Sequence, residues 1–339
     1  LSWIAQLYIT TREQTVPAAN SSMESNMKLM NFFLPTQLEK PSQQARDRKA
    51  VIALGGGGAR GLAHLGVLQA IGESGVQIER IVGVSMGSLA GALCAIAPDA
   101  SHAQAKAIQL LRSPIFQQKQ SMLFGSNSAD EQWAGGIFSW YGRAKRYLQA
   151  HRKLTKAVTS PALMSDEALQ QAIDQLLPDI DLQELPIPMS VVSVDLLSGQ
   201  RVVLERGSLR KAVRASTAIP GIFPAVPWGD MLLSDIGVIE SVPALVARSY
   251  ATDLTIAVDV GQTVNRIKKC DTAIEAMLRM DDICERMIRP KLLSAADVLI
   301  QPDVGHCPWF DFTQPERLID EGRRAAHLAL ADIRSTQAA

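Results

Sequence analysis

Short apolar runs alternate with helix-spaced apolar positions along most of this chain. Ala50 to Leu54 is a continuous apolar run bounded by a lysine and four glycines, the pattern of a buried strand. After Gly55–Gly61, Leu65, Leu68 and Ile71 fall at helical spacing within Leu62–Ser74. A second buried run, Ile81–Val84, leads through Ser85 into helix-like Ser88–Leu93. This alternation over residues 49–112 predicts a parallel sheet with helices on its faces.

Further on, the pattern predicts a strand over Ile187–Val194, a turn at Ser198-Gly199-Gln200, and a returning strand over Arg201–Leu204. Ser165 is placed to cap a helix running to Leu177, and Ser208–Ser216 reads as a short helix. Ile219–Pro224 reads as an extended, proline-rich loop. Strands follow at Met231–Ser234, ending in Asp235, at Leu254–Val260 and at Asp297–Pro302, with a last helix over Pro315–Asp332. In Thr272–Ile288 the apolar positions Ile274, Met277, Leu278, Ile283, Met287 and Ile288 predict an amphipathic helix facing the core.

The ends and one internal stretch differ. Residues 1–48 are turn-rich and polar outside Leu1–Thr10 and Met27–Leu34, and are expected to form a peripheral arm. Residues 113–185 break the strand–helix rhythm. They carry Phe138, Trp140 and Tyr141 near Lys145 and Arg146, a composition suited to an acyl pocket, to lipid headgroups or to a self-packed subdomain. Residues 333–339 are a short tail. The first ten residues lack a basic segment ahead of them and make a poor signal peptide; Met23 or Met27 is a candidate start.

Composition narrows the function. The 339 residues carry 34 basic and 34 acidic side chains, and this balance argues against broad electrostatic binding to nucleic acid. No apolar run reaches membrane-spanning length. Cys94, Cys270, Cys284 and Cys307 form no CxxC pair; Cys94 and Cys284 are expected to be plain buried thiols. No metal site or cofactor is expected, and a reducing, cytoplasmic compartment fits.

The candidate chemistry sits at two strand ends. A glycine run can turn backbone N–H groups outward without Cβ clashes, and a helix starting behind it adds unpaired N–H groups and a positive dipole end. Gly55–Gly61 is thus a candidate oxyanion hole. In Gly83-Val84-Ser85-Met86-Gly87, small residues permit a tight strand-to-helix turn that lifts a serine hydroxyl clear of the sheet, so Ser85 is the candidate nucleophile. Each motif alone is weak. Gly56, Gly58 and Gly61 also fit a dinucleotide loop, but the only acid at the right distance, Glu79, precedes the second strand instead of ending it. A P-loop lacks its Gly-Lys-Ser/Thr.

Taken in order, Gly56-Gly57-Gly58-Ala59-Arg60-Gly61, then Gly83 to Gly87, then Asp235-Ile236-Gly237 resembles the patatin-like phospholipase family, whose signature is GGGxRG, GxSxG and D-G-G/A. Val213–Pro224, Val194-Asp195-Leu196 and Ala296–Pro302 are also similar to segments of that family, and the resemblance spans about Ala50 to Ala329. It implies a patatin-like three-layer α/β/α sandwich with a central, mostly parallel sheet over residues 49–332. It implies a serine lipid acyl hydrolase working with a Ser85–Asp235 dyad, without calcium. The oxyanion donors would come from Gly56, Gly57, Gly58 and Met86, and Arg60 would hold the loop. The substrate would be a lipid or other acyl ester, met in transient contact with a membrane. The oligomeric state stays open.

One residue departs from the pattern. Ile236 stands where the family has glycine, and a β-branched residue bars any positive-φ geometry there. A displaced Asp235 and low activity are the expected consequence, and a lipid-binding regulatory protein on this scaffold is the matching alternative. Another alternative is a Ser–Asp–His triad drawing on His306 or His327; His64, on the helix after the glycine loop, is expected to pack or cap.

Overall fold

The computed structural model describes residues 48–117 and 162–335, other than 98, 115, 163, 164, 268 and 272. The proposed N-terminal arm apart from Arg48, the aromatic stretch of the variable region and the last four residues therefore lie outside the described residues.

Eight strands form one mixed sheet. They are β1 (Lys49–Leu54), β2 (Gln77–Val84), β3 (Met189–Asp195), β4 (Arg201–Leu204), β5 (Val226–Trp228), β6 (Met231–Ser234), β7 (Leu254–Val258) and β8 (Val298–Ile300). The order is β5-β6-β3-β2-β1-β7-β8, with β4 also pairing β3. Strands β3, β2, β1, β7 and β8 run parallel, as the strand–helix alternation requires; β4, β5 and β6 add antiparallel pairs at one side.

Both faces of the sheet are covered, which makes three layers. Along β1, Ala50, Ile52 and Leu54 enter one core while Val51 and Ala53 enter the other. The first core takes α1 (Ala63–Ser74), α2 (Met86–Ile96), α3 (Ala100–Leu111), α4 (Glu167–Leu176), α5 (Leu209–Thr217) and α8 (Pro315–Ser335). The second is smaller and takes α6 (Ala244–Arg248) and Leu293 at the end of α7 (Ala273–Leu293). Helices α1 and α8 cross so closely that a Cβ on Gly66 would stand 2.7 Å from the Arg323 nitrogen, and one on Gly322 2.7 Å from the Ala63 carbonyl carbon.

Three local expectations change. Helix α4 begins at Glu167, so Asp166, not Ser165, holds the N-cap position, and it supplies no side-chain cap bond. Ile219–Pro224 is a tight turn: the N–H groups of Ile222 and Phe223 both donate to the Ile219 carbonyl, with Gly221 at φ 78°. Helix α7 departs from the core-facing expectation at Met277, Met287 and Ile288, which are exposed, as are Met280 and Cys284; Met277, Met280 and Met287 are 69%, 56% and 75% exposed. Ile283 is half-buried, and the side chains of Ile274 and Leu278 lie outside those described. The helix buries Asp282 and Glu285 and half-buries Arg289, and these charges find partners: Arg289 reaches the Asp259 and Glu285 carboxylates and the Gln262 carbonyl, and Asp282 accepts from Gln262. Those pairings fix the inward face, so the methionines turn out. Cys94 is buried as expected, its thiol pushed up to about 12 by burial.

Candidate active site

Strands β1 and β2 are parallel neighbours, so the glycine loop and Ser85 leave the sheet on the same edge. Ser85 has φ 52° and ψ −125°, the one positive-φ non-glycine among the described residues. Such a conformation persists only where the surroundings over-determine it. Here they do. A Cβ on Gly83 would stand 2.6 Å from Ser88 Cα, and one on Gly87 would stand 2.6 Å from the Gly55 carbonyl oxygen. The Ser85 N–H donates to Ser216 Oγ at 2.9 Å, and Ser216 Oγ–H donates to the Val192 carbonyl at 2.6 Å. The Ser85 carbonyl accepts from Ser88 Oγ and from the Ser88 N–H.

Asp235 follows β6, which runs antiparallel to β3, and this topology brings it back to the level of Ser85. Its carboxyl is buried and accepts the Gly237 N–H at 2.7 Å on Oδ1. Burial pushes the acid up to about 6, against the opposing pull of the nearby Ser85 side chain and the Gly237 N–H. Gly237 keeps this bond because a Cβ there would stand 2.9 Å from Asp235 Oδ1. Ile236 needs no special backbone geometry. Its φ is not positive, and its side chain is buried with Val84, Val242 and Ala244 in the second core.

The glycine loop divides its donors. Gly55 N–H donates to the Val258 carbonyl, Gly56 N–H to the Ser241 carbonyl at 2.8 Å, and Ala59 N–H to the Trp309 carbonyl. Gly56 is therefore corrected as an oxyanion donor, because its N–H is already engaged. Its role is steric: a Cβ there would stand 3.2 Å from Ser85 Cβ. Gly57 and Gly58 donate to no protein acceptor among the described residues, and both line the cleft. Met86, the first residue of α2, has an N–H that no preceding turn can satisfy. Gly61 makes room for the Met86 side chain, since a Cβ there would stand 2.7 Å from Met86 Cβ.

Arg60 anchors the loop from beneath. Its Nε donates to the Val260 carbonyl at 2.9 Å and its Nη1 to the Cys307 carbonyl at 3.0 Å; burial lowers the guanidinium to about 10. His64 sits beside it, fully buried, with Nε2 2.7 Å from the Gly55 carbonyl.

These groups open on one cleft whose volume is about 70 Å³. Ile219 and Pro220 form part of its wall, with Trp309 and, from α7, Asp281, Asp282 and Glu285. His306 and His327 do not line it. They are exposed, near Asp303 and Glu73 respectively, so neither is positioned to complete a triad. Ser241, whose buried hydroxyl has no protein partner, and Ser216 were not singled out by sequence reasoning. Ser216 lies inside the family-like segment Val213–Pro224, and that was the signal available for it.

The family model for patatin-like phospholipase matches residues 52–248, more than half of the chain and all the motifs described. The chain belongs to the patatin-like phospholipase family. This patatin-like chain is 27% identical over 307 residues to an uncharacterized NTE family protein of Mycobacterium tuberculosis, covering 84% of this chain and 46% of that protein. It is 32% identical over 212 residues to patatin-like phospholipase domain-containing protein 6 of Mus musculus, covering 62% of this chain and 13% of that protein. The chain thus spans less than half the length of these relatives. A crystal structure of VipD from Legionella pneumophila aligns over 84% of this chain and 67% of that one, at 14% identity and a TM-score of 0.42.

Proposed function

We propose that this chain is a serine lipid acyl hydrolase of the phospholipase A, lysophospholipase or acylesterase type, acting through a Ser85–Asp235 dyad. The observation that carries the reading is the Ser85 elbow at positive φ opening on the same cleft as the buried Asp235 carboxyl, whose pKa burial raises to about 6. A base of that strength, ionised at neutral pH, is suited to general-base work.

Ser85 Oγ attacks the ester carbonyl carbon as its proton passes to Asp235. The charge that develops on the carbonyl oxygen is met by the N–H groups of Gly57, Gly58 and Met86 and by the positive end of α2. The intermediate collapses, the alcohol leaves with the proton from Asp235, and the acyl group stays on Ser85. Water, deprotonated by Asp235, then attacks the acyl carbon and releases the fatty acid and Ser85. Each donor is worth about 2.7–4 kcal/mol of barrier in comparable sites.

The test is fluorophosphonate labelling of the full chain with peptide mapping, alongside hydrolysis of a p-nitrophenyl ester. Label on Ser85, lost in Ser85→Ala, with turnover abolished in Asp235→Ala, is the expected result. Label on another residue, or turnover retained in Ser85→Ala, overturns the assignment.

A further inference from the structure

Helix α7 presents two chemically opposite faces. Its inward side supplies Asp281, Asp282 and Glu285 to the wall of the cleft. Its outward side carries Met277, Met280, Cys284 and Met287 at spacings of three, four and three residues, flanked by Ile288, all exposed. Residues so spaced lie along one stripe of a helix. Exposed apolar side chains scattered singly need no explanation, but a continuous stripe rimmed by polar residues marks a contact surface.

The charges around the stripe select its occupant. The loop entering α7 exposes Arg266 and Lys269, and the helix exposes Arg286 and Lys291, against exposed Asp271 and Glu275. A methionine stripe with a basic surround matches an interfacial helix lying on anionic lipid. No helix among the described residues is long and apolar enough to cross a membrane, so a surface contact is the form this face can take.

We infer that the outward face of α7 docks the protein on an anionic phospholipid bilayer, bringing the mouth of the Ser85 cleft to the lipid it hydrolyses. The purpose of the contact rests on the proposed hydrolase reading; the contact itself does not. Methionine suits the task because its flexible, polarizable side chain adapts to an irregular apolar surface. The division of α7 then has a single account, with charges toward the cleft wall and the exposed thioethers outward for acyl chains.

The experiment is co-sedimentation of the full chain with phosphatidylcholine vesicles, with and without phosphatidylglycerol, using Ser85→Ala so that the vesicles stay intact. Binding that is stronger to anionic vesicles, weakened by salt, and reduced about tenfold or more in a Met277→Glu, Met280→Glu, Met287→Glu variant is the expected result. The same triple change in the Ser85-containing protein should leave hydrolysis of a short, water-soluble ester unchanged, which shows that the fold survives. Absence of vesicle binding, or equal binding by the triple variant, overturns the proposal. So does a dimer by light scattering that the triple variant dissociates, because the stripe then belongs to a second copy. If no ester is hydrolysed but vesicle binding behaves as stated, the hydrolase reading fails and the docking surface stands.

Discussion

Ser216 Oγ accepts the Ser85 N–H at 2.9 Å and donates its own O–H to the Val192 carbonyl at 2.6 Å. One hydroxyl on α5 thereby ties the nucleophile's backbone to the neighbouring strand β3. It also removes the Ser85 N–H from the groups that could face an oxyanion. Replacing it leaves a buried donor and a buried acceptor without partners at a residue already held at positive φ.

Ser216→Ala should therefore cost about 1–3 kcal/mol of stability and lower kcat more than it raises KM. Denaturant unfolding and steady-state kinetics on a p-nitrophenyl ester measure both. Unchanged kcat would mean that the elbow holds its shape without this bond.

Asp235 predicts two pH effects of opposite sense. The proposed mechanism needs its carboxylate, so kcat/KM should fall on the acid side with an apparent pKa of about 6. Stability runs the other way. The folded-state value lies above the unfolded 3.8, so this group's contribution is fully present below 3.8 and is lost as pH rises through about 6. Asp235→Asn can still accept the Gly237 N–H. It should abolish turnover yet raise stability above pH 7 by up to about 3 kcal/mol. Melting curves of the two proteins at acid and alkaline pH test this: the gap between them should open as pH rises.

The strands and the two glycine motifs were legible because burial on both sides leaves continuous apolar runs, and because Gly83 and Gly87 answer to steric limits that no other residue meets. Helix α7 was misread for a physical reason. Periodicity reports that a helix has two faces, and the usual assumption turns the apolar one inward. Here the largely buried group of Arg289, Glu285 and Asp259 draws Asp259 from a distant strand end, and the methionines were left outside. The split of donors in the glycine loop was equally hidden. Gly56 is spent on the Ser241 carbonyl, 185 residues away, and only the fold reveals that partner.

Ile236, where the family signature has glycine, is part of the core. It is 5% exposed and packs with Val84 and Val242, at a backbone conformation open to any residue. Ile236→Gly should cost about 2–5 kcal/mol through the cavity and the added chain entropy, and should raise turnover by nothing. Unfolding midpoints and ester kinetics check this. A gain in kcat on installing glycine would mean that the isoleucine strains the dyad.

His64 gives the last prediction. Its Nε2 lies 2.7 Å from the Gly55 carbonyl, which can only accept, so Nε2 carries the proton. Nδ1 is buried with no partner, and burial lowers the imidazole to about 4. A base with a depressed folded-state value stabilises the fold above its unfolded value of 6.5, and that stability is lost as pH falls through about 4. About 3 kcal/mol should go over that window. His64→Gln can keep a donor for Gly55 while removing the titration. Its melting temperature should therefore fall less than that of the parent between neutral pH and about pH 4. Because the Gly55 carbonyl opens the glycine loop, His64→Ala should lower turnover as well as stability, and a stable His64→Ala variant with full activity would show that the loop holds its shape without the imidazole.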